Sequence, residues 1–83
     1  MAKEVHLLAF AGARDVVGAA EVAIAIDEPE TARAFFERVV GRFPALAPYR
    51  ASLRLAVNGS YARWEEPVSP GDEVALIPPV AGG

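Results

Sequence analysis

Over residues 4–10 apolar side chains fall at Val5, Leu7 and Ala9 on one parity and at Leu8 and Phe10 on the other, beside His6. A strand here is therefore apolar on both faces. Gly12 and Gly18 bracket a stretch of small and polar residues that reads as a loop. Alternation resumes over residues 21–26 with Val22, Ile24 and Ile26 on one side, and the two strands predict a first hairpin. After Asp27-Glu28-Pro29-Glu30 the period changes. Thr31 is placed as a helix N-cap, because its hydroxyl can accept from an otherwise unpaired amide of the first turn. Ala32, Phe35, Phe36, Val39 and Val40 follow at helical spacing, leaving Arg33, Glu37 and Arg38 for solvent. Gly41 and Pro44 are the expected stop.

A short irregular or helical piece fits residues 45–50. Residues 53–57 then alternate as a third strand with Leu53, Leu55 and Val57 inward. Asn58-Gly59 predicts a tight hairpin turn, since both residues accept positive φ cheaply, and residues 61–64 predict a short return strand in which Trp64 serves packing. Ser69-Pro70-Gly71-Asp72 fits a turn with proline fixing φ at its second position and glycine supplying positive φ at its third. Residues 73–77 predict the last strand, with Val74 and Leu76 inward and Ala75 and Ile77 outward. The order strand, strand, helix, strand, short strand, strand predicts an α+β domain of the β-grasp type, a mixed sheet of about five strands packed on one main helix. Residues 1–77 form that domain and residues 78–83 an extended tail.

Length and composition narrow the picture. A chain of 83 residues closes one hydrophobic core and not two. With 53% apolar and 23% charged residues it has a globular balance. There is no cysteine, so neither a disulfide framework nor a thiolate metal cage is available and the fold must rest on packing. The apolar run near the N-terminus is broken by Arg14 and Asp15 before it could serve as a signal-peptide core or span a bilayer, so a cytoplasmic protein with no membrane contact is expected. A net charge of -3 with interspersed arginines argues against nucleic acid, which needs a concentrated basic face. No metal constellation and no phosphate-binding glycine loop is present, His6 has no partner that would orient it for catalysis, and Ser52, Ser60 and Ser69 lack a nucleophile context. An enzyme in its own right is therefore not expected, and the natural partner is protein.

The chain ends Pro78-Pro79-Val80-Ala81-Gly82-Gly83. Two prolines remove two ladder donors and hold a segment extended, so it should leave the sheet as a stiff arm. Gly82 and Gly83 have no side chains, so they can pass a narrow slot and bring the terminal carboxylate close to a reacting group; a frayed end is the plain alternative. A tail that must be gripped calls for an apolar patch near its root. If the first and last strands are neighbours, Leu8, Phe10, Ile77 and Tyr61 gather on one open sheet face, rimmed by Arg14 and Arg63. The alternative is that the loops at residues 12–20 or 42–50 cover these side chains as a minor second core.

Residues 57–83, from Val57-Asn58-Gly59 through Pro70-Gly71-Asp72 to the Gly82-Gly83 end, resemble the C-terminal half of molybdopterin synthase small subunits, which are ubiquitin-like sulfur carriers. Phe10-Ala11-Gly12-Ala13-Arg14-Asp15-Val16-Val17-Gly18 is similar to that family's first strand and the arginine-containing turn after it. Residues 27–50 match only in pattern. The resemblance implies that an adenylyltransferase of the ubiquitin-activating type, using ATP and magnesium, adenylates Gly83, and that sulfur from a separate donor protein displaces AMP to give a thiocarboxylate. It implies a larger subunit, in a heterotetramer of two small and two large subunits, that takes up the tail (Pro78, Pro79, Val80, Ala81, Gly82, Gly83) and holds the catalytic groups. Sulfur would pass there to cyclic pyranopterin monophosphate. No cofactor is bound permanently and no metal is held. Two related roles stay open: a thiamin-pathway sulfur carrier, and a ubiquitin-like protein modifier that also serves tRNA thiolation.

Overall fold

The first apolar alternation forms β1 (Glu4–Ala9) in the computed structural model, which describes residues 3–78. β2 (Glu21–Ala25) pairs with it antiparallel, Val5 facing Ile24 and Leu7 facing Val22. The connection between them is a helix and not a loop. α1 (Ala11–Val17) begins where β1 ends, with Phe10 at its N-cap in extended conformation. Ala13, Val16 and Val17, three and four residues apart, turn inward: Ala13 is buried, and the two valines are half-buried against the core. Gly18 ends the helix in the left-handed region at φ 87°, its amide donating to the Arg14 carbonyl at 2.8 Å. A seven-residue helix with an internal glycine has too weak a propensity to stand alone, so packing forms it.

α2 (Ala32–Arg42) is the main helix, and its buried residues are Ala32, Phe35, Phe36, Val39 and Val40. Thr31 caps it, accepting from the Ala34 amide at 3.1 Å through Oγ1. The amides of Ala32 and Arg33 donate to the carbonyls of Glu66 and Trp64, at 2.7 and 2.9 Å. Three first-turn donors thus find acceptors outside the helix, which removes the usual penalty of a helix start. Two short strands anchor the same end: β3 (Glu30–Thr31) pairs antiparallel with β6 (Pro67–Val68). Arg38 closes it with a bidentate grip on Glu30, Nε to Oε2 at 3.0 Å and Nη2 to Oε1 at 2.7 Å. That hydrogen bond first, and the carboxylate's charge second, hold the guanidinium above its ordinary pKa. Replacing Thr31 by Ala should cost about 1 kcal/mol of stability, as loss of an N-cap does. Thr31→Ser should retain most of it, a difference readable in urea-denaturation midpoints.

Gly41 does not stop α2, which continues through Arg42 to Phe43, whose amide donates to the Val39 carbonyl at 2.8 Å. One glycine costs about 1 kcal/mol relative to alanine, which core contacts override. Pro44 is the real terminator, since it cannot donate and its ring clashes with the preceding turn. It opens a 3-10 helix, Pro44–Tyr49, that buries Leu46. β4 (Arg54–Val57) follows and turns through Asn58 and Gly59, at φ 50° and 88°, into β5 (Ser60–Tyr61). This return strand is shorter than residues 61–64. Trp64 leaves it to pack on Phe36, ring centroids 5.3 Å apart.

β7 (Glu73–Ile77) completes the main sheet, whose order is β2-β1-β7-β4-β5. β7 lies parallel to β1 and antiparallel to β4. Asn58 braces its start: the side-chain amide donates to Asp72 at 3.1 Å, and the side-chain oxygen accepts from the Glu73 amide at 2.9 Å. The predicted turn before it closes as expected, with the Asp72 amide donating to the Ser69 carbonyl at 3.0 Å. Val5, Leu7, Ala9, Ile24, Leu55, Val74 and Leu76 form the inner face against Phe35, Phe36 and Val39, all buried. Each large side chain so buried contributes roughly 1.5–3 kcal/mol. Among the described residues no polar side chain is buried, so the core rests on apolar packing.

Candidate functional site

The register of the two central strands builds the site. His6 lies opposite Glu73, Leu8 opposite Ala75 and Ala9 opposite Leu76, so Phe10 follows β1 at the level where Ile77 ends β7 and the tail begins. β4 continues the rows, with Ala56 opposite Ala75 and Tyr61 opposite Ala56. Leu8, Ala75, Ala56 and Tyr61 thus stand in one line across four strands on the face turned away from α2. The two alanines keep the middle of the line low while Leu8, Phe10, Tyr61 and Ile77 rise around it. The result is a shallow groove of about 340 Å³. Phe10 is 50% and Tyr61 71% exposed, and Leu8 and Ile77 are half-buried.

Among the described residues no loop lines this groove as a second core. Residues 12–17 lie in α1, which packs on the 3-10 helix. These two elements frame a different apolar cleft of about 330 Å³ with Gly12, Ala13, Val16, Leu46, Tyr49, Leu53 and Pro78 on its walls. Pro78, the first residue of the predicted tail, is therefore set against that cleft. Pro79, Val80, Ala81, Gly82 and Gly83 lie outside the described residues.

The charged rim differs from expectation. Arg14 and Arg63 are exposed, but neither lines the groove. Arg14 sits on a helix whose inward side is taken by Ala13, Val16 and Val17, which leaves it pointing elsewhere. The charged group that does line the groove is Glu73, and Arg54 is the arginine at the register position of Ile77. Sequence reasoning set Ala75 outward but left it out of the patch, and passed over Ala56 and Glu73, although both have the outward parity of their strands. His6 is exposed and bonds Glu21 at 3.1 Å. Among the described residues no cluster of three or more His, Asp or Glu side chains could hold a metal ion, and no helix is long and apolar enough to cross a membrane.

A mixed sheet gripping one main helix, with its first and last strands parallel at the centre and an open apolar face where the last strand ends, defines a β-grasp protein of the ubiquitin-like kind. The chain belongs to the ThiS family, whose match spans residues 7–83. It is 32% identical over 80 residues to the molybdopterin synthase sulfur carrier subunit of Arabidopsis thaliana, covering 96% of this chain and 83% of the relative. To the protein of the same name from Escherichia coli K12 it is 36% identical over 81 residues, covering 95% and 99%. Among solved structures it is similar to SAMP1 from Haloferax volcanii, a small archaeal modifier protein, with a TM-score of 0.82, 30% identity, and coverage of 96% of this chain and 99% of that one.

Proposed function

We propose that this chain is the sulfur-carrier small subunit of a molybdopterin synthase, and that its working group is the carboxylate of Gly83. The observation that carries the reading is the parallel β1–β7 register, which gathers an open apolar face where β7 ends, six residues before Gly83. The full-length likeness to relatives named as carrier subunits supports it. In this reading the activating enzyme holds ATP and magnesium. A carboxylate oxygen of Gly83 attacks the α-phosphorus of ATP and pyrophosphate leaves. Sulfide-level sulfur delivered by a donor protein then attacks the acyl carbon and expels AMP, leaving the thiocarboxylate. Activation is required because a carboxylate resists nucleophiles until its oxygen becomes a good leaving group, whereas the resulting thiocarboxylate is itself a nucleophile. The larger synthase subunit receives the tail, supplies acid and base groups, and directs sulfur to cyclic pyranopterin monophosphate. Once sulfur has bonded to the precursor, water cleaves the acyl–sulfur bond, and Gly83 returns as a carboxylate in a cytoplasmic cycle.

The test is intact mass after incubation with a cognate adenylating enzyme, ATP, magnesium and sulfide, repeated after adding the larger subunit and cyclic pyranopterin monophosphate. The expected result is a gain of one oxygen replaced by sulfur that reverses only in the second stage. A gain that never reverses would place the carrier in another pathway, such as thiazole synthesis. The likeness to a small archaeal modifier protein favours one second reading, in which Gly83 is joined to lysine amines. That reading requires lysine-linked adducts in proteolytic digests of the same incubations.

A further inference from the structure

A second groove of about 450 Å³, which shares no lining residue with the groove on the sheet face, is bounded by Arg33 and Phe36 of α2, Pro48, Arg50, Arg54 and Trp64. It gathers three arginines of a chain that has 8 basic residues and a net charge of -3. The arginines come from three elements and are set differently. Arg33 lies over Trp64, its guanidinium carbon 5.3 Å from the ring centroid, within reach of a cation–π contact. Arg50 is held by Glu37, Nη2 to Oε1 at 3.0 Å, with both side chains about half exposed, at 51% and 43%. Arg54 folds back on the carbonyls of Ala51 and Leu53 at 3.1 and 2.8 Å, using Nη1 for both bonds.

We propose that this groove docks an extended, carboxylate-bearing segment of a partner protein, separately from the sheet face and whatever the fate of Gly83. The charge complementarity is direct, since a locally basic trough in an acidic protein selects acidic chains. The geometry favours a peptide over a phosphate. Phosphate cradles are built from convergent backbone amides, but the amides of Arg33 and Arg50 are already given to the carbonyls of Trp64 and Ala47, at 2.9 and 3.2 Å. The guanidinium groups are also drawn apart, one towards Trp64, one towards Glu37 and one towards Ala51. Three guanidinium groups with three different anchors suit several carboxylates along a chain better than one compact anion, with Phe36 and Trp64 as apolar lining. Glu37 acts as the resident competitor: an incoming carboxylate takes its place on Arg50.

Trp64 is the sole tryptophan and reports on the groove by fluorescence. The probe is an acetylated decapeptide of alternating Glu and Ala, titrated beside its Gln counterpart and beside tripolyphosphate, with backbone amide NMR shifts as a second readout. A saturable response to the Glu peptide alone is expected, fading as salt rises from about 20 to 500 mM. Arg50→Gln should weaken it about fivefold, in the range of a partly exposed ion pair. Glu37→Gln should tighten it by about two- to fivefold, because it frees Arg50. Both positions are exposed, so thermal melts should stay close to the parent. Equal response to the Glu and Gln peptides, or the same direction of change in the two variants, would overturn the proposal. Tighter binding of tripolyphosphate than of the Glu peptide would replace it with a phosphate site.

Discussion

A variant lacking Gly83 is expected to gain no sulfur in the presence of adenylating enzyme, ATP, magnesium and sulfide, while melting at the temperature of the parent. Loading should fall by roughly a hundredfold or more, the scale on which misplacing a reacting group by even an ångström is felt. A variant with one alanine appended after Gly83 should fail alike, because it moves the carboxylate by about 3.5 Å and puts a methyl group beside the acyl carbon. Stability should not change, since β7 ends at Ile77 and the core that holds it is complete upstream. Intact mass gives the loading and circular dichroism the melt. Parent-like loading of either variant would show that the group taking up sulfur is not fixed at Gly83, and would remove that residue from the chemistry.

Elements with a strong period were legible in the sequence, and elements made by tertiary contact were not. β1, β2, β4, β7 and α2 each bury the parity or helical stripe that their side chains display, and Thr31, Asn58 and Ser69-Pro70-Gly71-Asp72 do locally what their chemistry suggests. α1 was hidden because Ala13, Val16 and Val17 make only one turn of helical pattern, between two glycines that read as a loop. β3 and β6 have two residues each and exist through their pairing and the carbonyls of Trp64 and Glu66 that receive α2. No local pattern encodes such contacts. The site divided the same way. The outward parity of Leu8, Phe10 and Ile77 foretold that they share the open sheet face, whereas Arg14 and Arg63 were placed by nearness in sequence, which says nothing of the direction in which a loop or short helix turns its side chains. The basic groove was illegible for the same reason: Arg33, Arg50 and Arg54 come together only once α2, the 3-10 helix and β4 have packed.

Phe10→Glu is expected to disable docking without disturbing the fold. Half of this side chain already meets water, and Phe10 serves α1 through its extended backbone, with no side-chain cap to lose. The loss of an aromatic anchor near the centre of an apolar interface costs about 2 kcal/mol or more, which is roughly 30-fold in affinity. The introduced carboxylate adds to this, because an interface that covers it must strip its water without offering a partner, and the charge already lining the groove, Glu73, has the same sign. Tyr61→Glu should act in the same direction but more weakly, since Tyr61 lies on the edge strand β5 and is 71% exposed. Arg63→Glu is the control: exposed but off the groove, it should change affinity less than twofold. Calorimetric titration of the three variants into the larger synthase subunit and into the adenylating enzyme separates the possibilities. If Phe10→Glu binds both as the parent does while Arg63→Glu fails, the sheet face is not the docking surface and the partners grip the side of the molecule that carries Arg63.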